Sequence, residues 1–153
     1  MARRRPAADP DPQPHRPAVS AALALRAAVH ARLMADAELG ALLGGAKVFD
    51  EVPGSAREPY IVLSGIESRA NGTASEAGEE HRLVLDIWSR QGGLAESLTT
   101  AARIVGLLDD AALTLDGHHL ANLRWIATDA RRAPDGLHRY ASLRFRAVTE
   151  PAA

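Results

Sequence analysis

The residues best suited to chemistry fall into two groups. Asp109, Asp110, Asp116, His118 and His119 form the densest run of titratable side chains. Carboxylates and imidazoles at close spacing can hold a divalent cation, but this run matches no zinc or dinuclear ligand pattern. Adjacent histidines on a strand point to opposite faces, and the Asp pair falls at the C-terminus of a predicted helix, where the dipole offers it no partner. Cysteine is absent, which excludes disulfides, thiolate zinc sites, iron–sulfur clusters and a cysteine nucleophile. Ser55, Ser64, Ser89 and His81 give no readable nucleophile–base pair, and no nucleophile elbow, P-loop or dinucleotide fingerprint occurs. The glycines within 40–45 end a helix instead of opening one after a strand, so they do not form a phosphate cradle. No catalytic residue, cofactor or metal is assigned, and the chain is not expected to be an enzyme.

The second group is Arg82, Arg124, Arg144 and Arg146, spread over three predicted strands. By period two, Arg144 and Arg146 share a face; whether Arg82 and Arg124 join them depends on strand register. A planar guanidinium fork suits carboxylate and phosphate equally. Such a face is an ordinary solvated surface with Asp86 as counter-charge, a protein interface, or a surface for a polyanion. Lys+Arg is 18 and Asp+Glu is 19, a formal net charge of −1, which favours a protein interface over tight nucleic-acid binding.

The elements that must position these residues are legible from periodicity. The 153 residues make one domain, long enough to bury a core without metals or disulfides. Residues 1–16, with Arg3-Arg4-Arg5 and four prolines, cannot bury apolar area and are expected to be a flexible arm preceding a domain at 17–150. Ala18, Ala22, Leu25, Val29 and Leu33 form a helical stripe, expected to start at Pro17 and run to about Ala37. Strands are expected at 47–52, 59–68, 79–90, 119–131 and 137–148. In the second, Tyr60, Val62, Ser64 and Ile66 share one face, with Ile61, Leu63 and Gly65 on the other. In the third, Leu83, Leu85 and Ile87 oppose Arg82 and Asp86, and Val84 and Trp88 make the second face apolar at its centre, as for a strand covered from both sides. In the fourth, Leu123, Trp125 and Ala127 oppose Asn122, Arg124 and Thr128. In the fifth, Leu143, Phe145 and Ala147 oppose Tyr140, Ser142, Arg144 and Arg146. Residues 70–78, with Asn71, Thr73 and Ser75, read as a polar loop that orders on a partner. Leu94, Leu98, Ala101, Val105 and Leu108 form a second helical stripe. The order α-β-β-β-α-β-β makes an α+β domain: a mainly antiparallel β-sheet with two α-helices packed on one face. No stretch reaches the ~18 apolar residues of a membrane span, so a cytoplasmic location and no membrane partner are expected.

The ordered set of segments Val48-Phe49-Asp50-Glu51-Val52-Pro53, Pro59-Tyr60-Ile61-Val62-Leu63, His81-Arg82-Leu83-Val84-Leu85-Asp86-Ile87-Trp88-Ser89-Arg90, Leu113-Thr114-Leu115-Asp116-Gly117-His118 and Leu143-Arg144-Phe145-Arg146-Ala147 resembles the tail terminators, or tail-completion proteins, of long-tailed phages and gene transfer agents. The resemblance spans about residues 18–149. It implies a hexameric ring that caps the tail tube, stops its polymerisation and joins the tail to the head or neck. It also implies partners: copies of the chain, the major tail tube protein, a head–tail connector, and DNA passing through the bore without sequence-specific binding. The expected location is the cytoplasm during assembly and then the tail of the particle. On this reading Arg82, Arg124, Arg144, Arg146, Asn71, Thr73 and Ser75 are the candidate interface or lumen-facing residues. Two other readings stand beside it: a nucleic-acid-binding module using the arginine-bearing face, which predicts steeply salt-dependent affinity, and a small-molecule-binding domain, which requires a deep polar pocket.

Overall fold

A computed structural model describes residues 19–73, 76–90 and 94–152. The expected arm at 1–16, the helix start at Pro17, and Ser75 lie outside the described residues. Among these residues the fold is α+β, with three helices on one side of a five-stranded sheet of β1 (Val48–Phe49), β2 (Tyr60–Thr73), β3 (Glu76–Ser89), β4 (His118–Arg132) and β5 (Arg139–Pro151), in the order β1-β2-β3-β5-β4. Among the described residues only the β1–β2 pairing is parallel.

Helix α1 spans Ala21–Met34 and buries Ala21, Ala24, Leu25, Val29 and Leu33. The Ser20 hydroxyl caps its N-terminus by accepting from the Leu23 N–H at 3.1 Å. The single helix expected to reach Ala37 is in fact two. Asp36 accepts from the Leu39 N–H at 2.8 Å and so caps a second, short helix, α2 at Ala37–Leu43, which ends on Gly44 in the left-handed conformation (φ 72°). The same carboxylate accepts two bonds from Arg103 on the third helix, α3 (Ala95–Leu108), at 2.9 and 2.6 Å, which fixes the break between α1 and α2 against it.

Helix α3 spans Ala95–Leu108 and buries Ser97, Thr100, Ala101, Ile104, Leu107 and Leu108. Of the expected stripe, Ala101 and Leu108 are buried and Val105 packs half-buried against the core, but Leu98 is exposed. The reason lies in Ser97 and Thr100, which bury because their hydroxyls donate within the helix, to the carbonyls of Leu94 (3.1 Å) and Glu96 (3.0 Å).

Strand β1 is only Val48–Phe49, shorter than expected. Strands β2 (Tyr60–Thr73) and β3 (Glu76–Ser89) pair along their whole length, from Tyr60↔Trp88 to Thr73↔Glu76. The expected loop at 70–78 is therefore a two-stranded ribbon. It runs past Glu79↔Thr149, the last pairing of β3 with β5 toward the ribbon. Beyond the sheet there is no core for it to face, so its sequence carries no apolar alternation to read. Gly78 opposes Asn71, and a Cβ there would sit 3.3 Å from the Thr149 carbonyl, so this close backbone approach favours glycine.

Strands β4 (His118–Arg132) and β5 (Arg139–Pro151) complete the sheet. Bulges shift the register between Leu63 and Gly65 in β2, and between Leu120 and Asn122 and between Trp125 and Ala127 in β4. Each reverses the face of everything beyond it. Ile66 consequently packs on the core side opposite Leu83, contrary to its expected face, and Thr128, not Ala127, falls opposite core-facing Leu143. The core lies between sheet and helices and includes Leu25, Leu33, Ile61, Leu85, Ile104 and Phe145. Of the six aromatics only Phe145 is fully buried; the other five line the sheet's open face or its edge.

Candidate assembly interface on the open face of the sheet

Even-numbered residues of β3 and β5 face away from the helices, and the register decides what they meet. Arg82 stands opposite Arg146, and Arg146 opposite Arg124, so three arginines form one row across β3, β5 and β4, with Glu67 of β2 opposite Arg82. Like charges directly opposite each other are unfavourable unless compensated. Glu80 supplies the compensation: its Oε1 lies 3.4 Å from Arg82 Nη2 and 3.1 Å from Arg146 Nε. Arg124 is held by Asp109 at 3.4 Å and Asp110 at 3.8 Å. Arg144, one row along between Val84 and Ala127, is exposed and has no carboxylate partner among the described residues.

The four arginines predicted from the sequence therefore do share the open face, but three have carboxylate partners within the chain, two of them sharing Glu80. Sequence reading missed Glu80, although its spacing from Arg82 (i, i+2) was the available signal, since these two must share a strand face. Asp86, the expected counter-charge, stands opposite Val62 and Ser142 and forms no ion pair among the described residues. Asn71 lies on the ribbon and is exposed; Thr73 ends β2 opposite Glu76.

Between the arginines the face is apolar. Gly65, Val84, Ile126, Ala127, Arg82 and Arg144 line a half-open groove of about 480 Å³. At the far end of the strands Trp88 stacks on Tyr140 (centroids 5.2 Å apart), and His138 meets Trp88 edge-on at 6.1 Å. His138 bonds Asp135 through Nδ1 at 2.5 Å and Glu58 through Nε2 at 2.9 Å. The bond to Asp135 raises the imidazole pKa above its ordinary value, and His138 in turn holds Asp135 down to about 2.

The titratable run does structural work. Asp109 accepts from the Trp125 N–H at 2.9 Å, the Asp110 N–H donates to the Leu123 carbonyl at 2.8 Å, and His118 Nε2 bonds the Val19 carbonyl at 2.7 Å. These bonds cap the β4 backbone at Leu123 and Trp125 and tie the start of α1 to the start of β4. One serine–histidine contact went unseen in the sequence because it is made by register: Ser68 Oγ lies 2.6 Å from His81 Nδ1, and Thr149 Oγ1 lies 2.8 Å from Nε2. His81 is fully buried, and burial lowers its pKa. Thr149 carries no charge to stabilise an imidazolium, so the three residues act as a clip between β2, β3 and β5.

A family model described as tail completion protein gp17 matches residues 27–150. Among solved structures, a chain from a virion of a native gene transfer agent particle shares the fold with a TM-score of 0.78 and 33% identity, over 83% of this chain and 95% of that one. No match is found among curated proteins.

Proposed function

The chain belongs to the tail completion protein gp17 family, and from that membership we propose that it is a structural subunit of a phage-like tail, one copy of a ring that caps the tail tube. In this role it stops tube polymerisation and joins the tail to the head or neck, with DNA passing through the bore. The observation that carries the reading is the open sheet face. An uncovered face holding an apolar groove, half-buried aromatics and an uncompensated Arg144 suits contact with other protein chains. A subunit of this kind needs positioned surfaces, and no catalytic step is assigned to it.

The nucleic-acid-binding alternative loses ground on this face. Glu80 pairs with both Arg82 and Arg146, and Asp109 and Asp110 pair with Arg124, so three of the four arginines already have carboxylate partners that a phosphate backbone would have to displace. DNA in the bore then passes without tight binding.

Electron microscopy of the purified chain mixed with its tail tube protein tests the proposal. Rings seated on tube ends, and tubes that stop growing once capped, are expected. A chain that leaves tube growth unchanged and is absent from purified particles by mass spectrometry overturns it.

A further inference from the structure

The groove on the open face follows from two bulges that bracket one cross-strand row. Gly65 stands opposite Val84, Val84 opposite Arg144, and Arg144 opposite Ala127. At the β2 end the extra residue is Ser64, whose hydroxyl donates to the Val84 carbonyl at 3.2 Å. Gly65 follows it, exposed, and a Cβ there would meet nothing within 4 Å. At the β4 end the extra residue is Ile126, which is 47% exposed and walls the groove. One end of the row is therefore hollow and the other carries an apolar wall. With strands about 4.8 Å apart, a row of four spans about 14 Å, which about four extended residues match.

The charges around the groove are mostly matched within the chain. Glu67, which lines it, is paired with Arg69 at 2.5 Å. Asp129 is paired with Arg131, and Arg124 with Asp109 and Asp110. Arg82 and Arg146 have one carboxylate between them, which leaves one positive charge in excess beside the groove. Arg144, in the groove itself, has no carboxylate partner among the described residues and stands between Val84 and Ala127. Asp86 likewise forms no ion pair among the described residues, but it stands one row away opposite Ser142 and does not line the groove. The complement of this site is a carboxylate delivered together with an apolar group. A guanidinium takes a carboxylate in two parallel bonds, which strengthen where apolar walls exclude water. In an extended chain, residues two apart share a face about 6.6 Å from each other, between one and two strand spacings. We infer that the groove receives a short extended segment of an adjoining particle protein. Its large apolar side chain lies over Gly65 and Val84, and an aspartate or glutamate two residues along meets Arg144. That the segment comes from a particle protein rests on the ring reading; the chemistry of the groove does not.

Backbone amide chemical shifts of the full chain, titrated with three blocked peptides at millimolar concentrations, test the site. The peptides are acetyl-Ser-Leu-Ser-Glu-Ser-amide and its twins with glutamine or lysine in place of the glutamate. The glutamate peptide is expected to move the amides of Gly65, Val84 and Ala127. The glutamine twin should bind about tenfold more weakly, as on losing one charge-assisted bond. Gly65→Leu fills the hollow end from an exposed position and is expected to keep the wild-type circular dichroism while losing the peptide. Arg144→Glu is expected to reverse the preference, so that the lysine twin binds best. Wild-type amides that stay still, or that move equally with all three peptides, overturn the inference. So does an Arg144→Glu chain that still prefers the glutamate peptide. Tube capping judges the ring reading separately. A chain that caps tubes but fails the titration loses the groove and keeps the ring. A chain that binds the peptide but neither caps tubes nor occurs in particles keeps the groove's chemistry and loses the particle as the source of the segment.

Discussion

Arg82 and Arg146 face each other across β3 and β5, and a single carboxylate, Glu80, lies against both. This relationship converts what reads in the sequence as a basic patch into a compensated ionic row. It leaves Arg144 as the cation of the open-face groove that is free to meet a partner.

Glu80→Gln removes the shared carboxylate and leaves two opposed guanidinium groups. The expected loss is about 1 kcal/mol at low salt, since both arginines remain partly solvated. The repulsion left behind is screened by salt, so the variant should approach the wild type as ionic strength rises. Urea unfolding at low and high salt measures this. A deficit that is absent at low salt, or grows with salt, contradicts the shared-carboxylate role.

Arg144→Glu should leave the fold almost untouched, within about 0.5 kcal/mol, because the side chain is exposed and has no carboxylate partner among the described residues. Its effect should appear in assembly, as weaker ring formation or weaker capping of tubes. Loss of the folded circular dichroism signal would make Arg144 a structural residue instead.

His81 predicts loss of stability in mild acid. Its pKa is lowered by burial, so the unfolded chain takes up a proton first as pH falls below the ordinary histidine value of about 6.5. Stability due to this residue is full above that value and declines on acidification until the folded pKa is passed. His81→Gln should flatten that decline in thermal unfolding measured from pH 7 to pH 5. His81→Ala should cost about 2–4 kcal/mol at neutral pH, through the cavity and the stranded Thr149 hydroxyl. An unchanged acid slope in His81→Gln would show that the imidazole is not the titrating group.

His138 predicts the opposite sign. Its pKa is raised, first by the hydrogen bond to Asp135 and further by Glu58. Its contribution is therefore complete below the ordinary histidine value and fades as pH rises through the folded pKa. Asp135, held at about 2, contributes fully above the ordinary carboxylate range and loses that contribution progressively as pH falls from that range to about 2. Comparing melting temperatures of His138→Gln and wild type from pH 6 to pH 9 should show the gap narrowing with rising pH. A gap that widens with pH would reverse the assignment.

Local pattern was enough for much of this protein. Apolar spacing located α1 and α3, alternation located the strands, and period two placed Arg144 and Arg146 opposite the core-facing Phe145. These are properties of adjacent residues, whose directions are set by helix and strand geometry. The segments resembling tail-completion proteins were likewise readable as an ordered set. Other features depended on pairs distant in sequence. The helix break at Asp36 is fixed by Arg103, and the ribbon at 70–78 is held by backbone pairing that leaves no apolar trace. The Ser68–His81–Thr149 clip and the Glu80-bridged arginines exist only once the register is set. The bulges matter most. One inserted residue reverses the face of all that follows, so Ile66 turned to the core and Ile126 was pushed into solvent. Sequence determined which residues lie on which element and that the chain is an α+β tail-completion-type domain. Tertiary structure alone decided which charges meet and which apolar groups stay uncovered, because register and bulges are set by long-range packing and not by any local propensity.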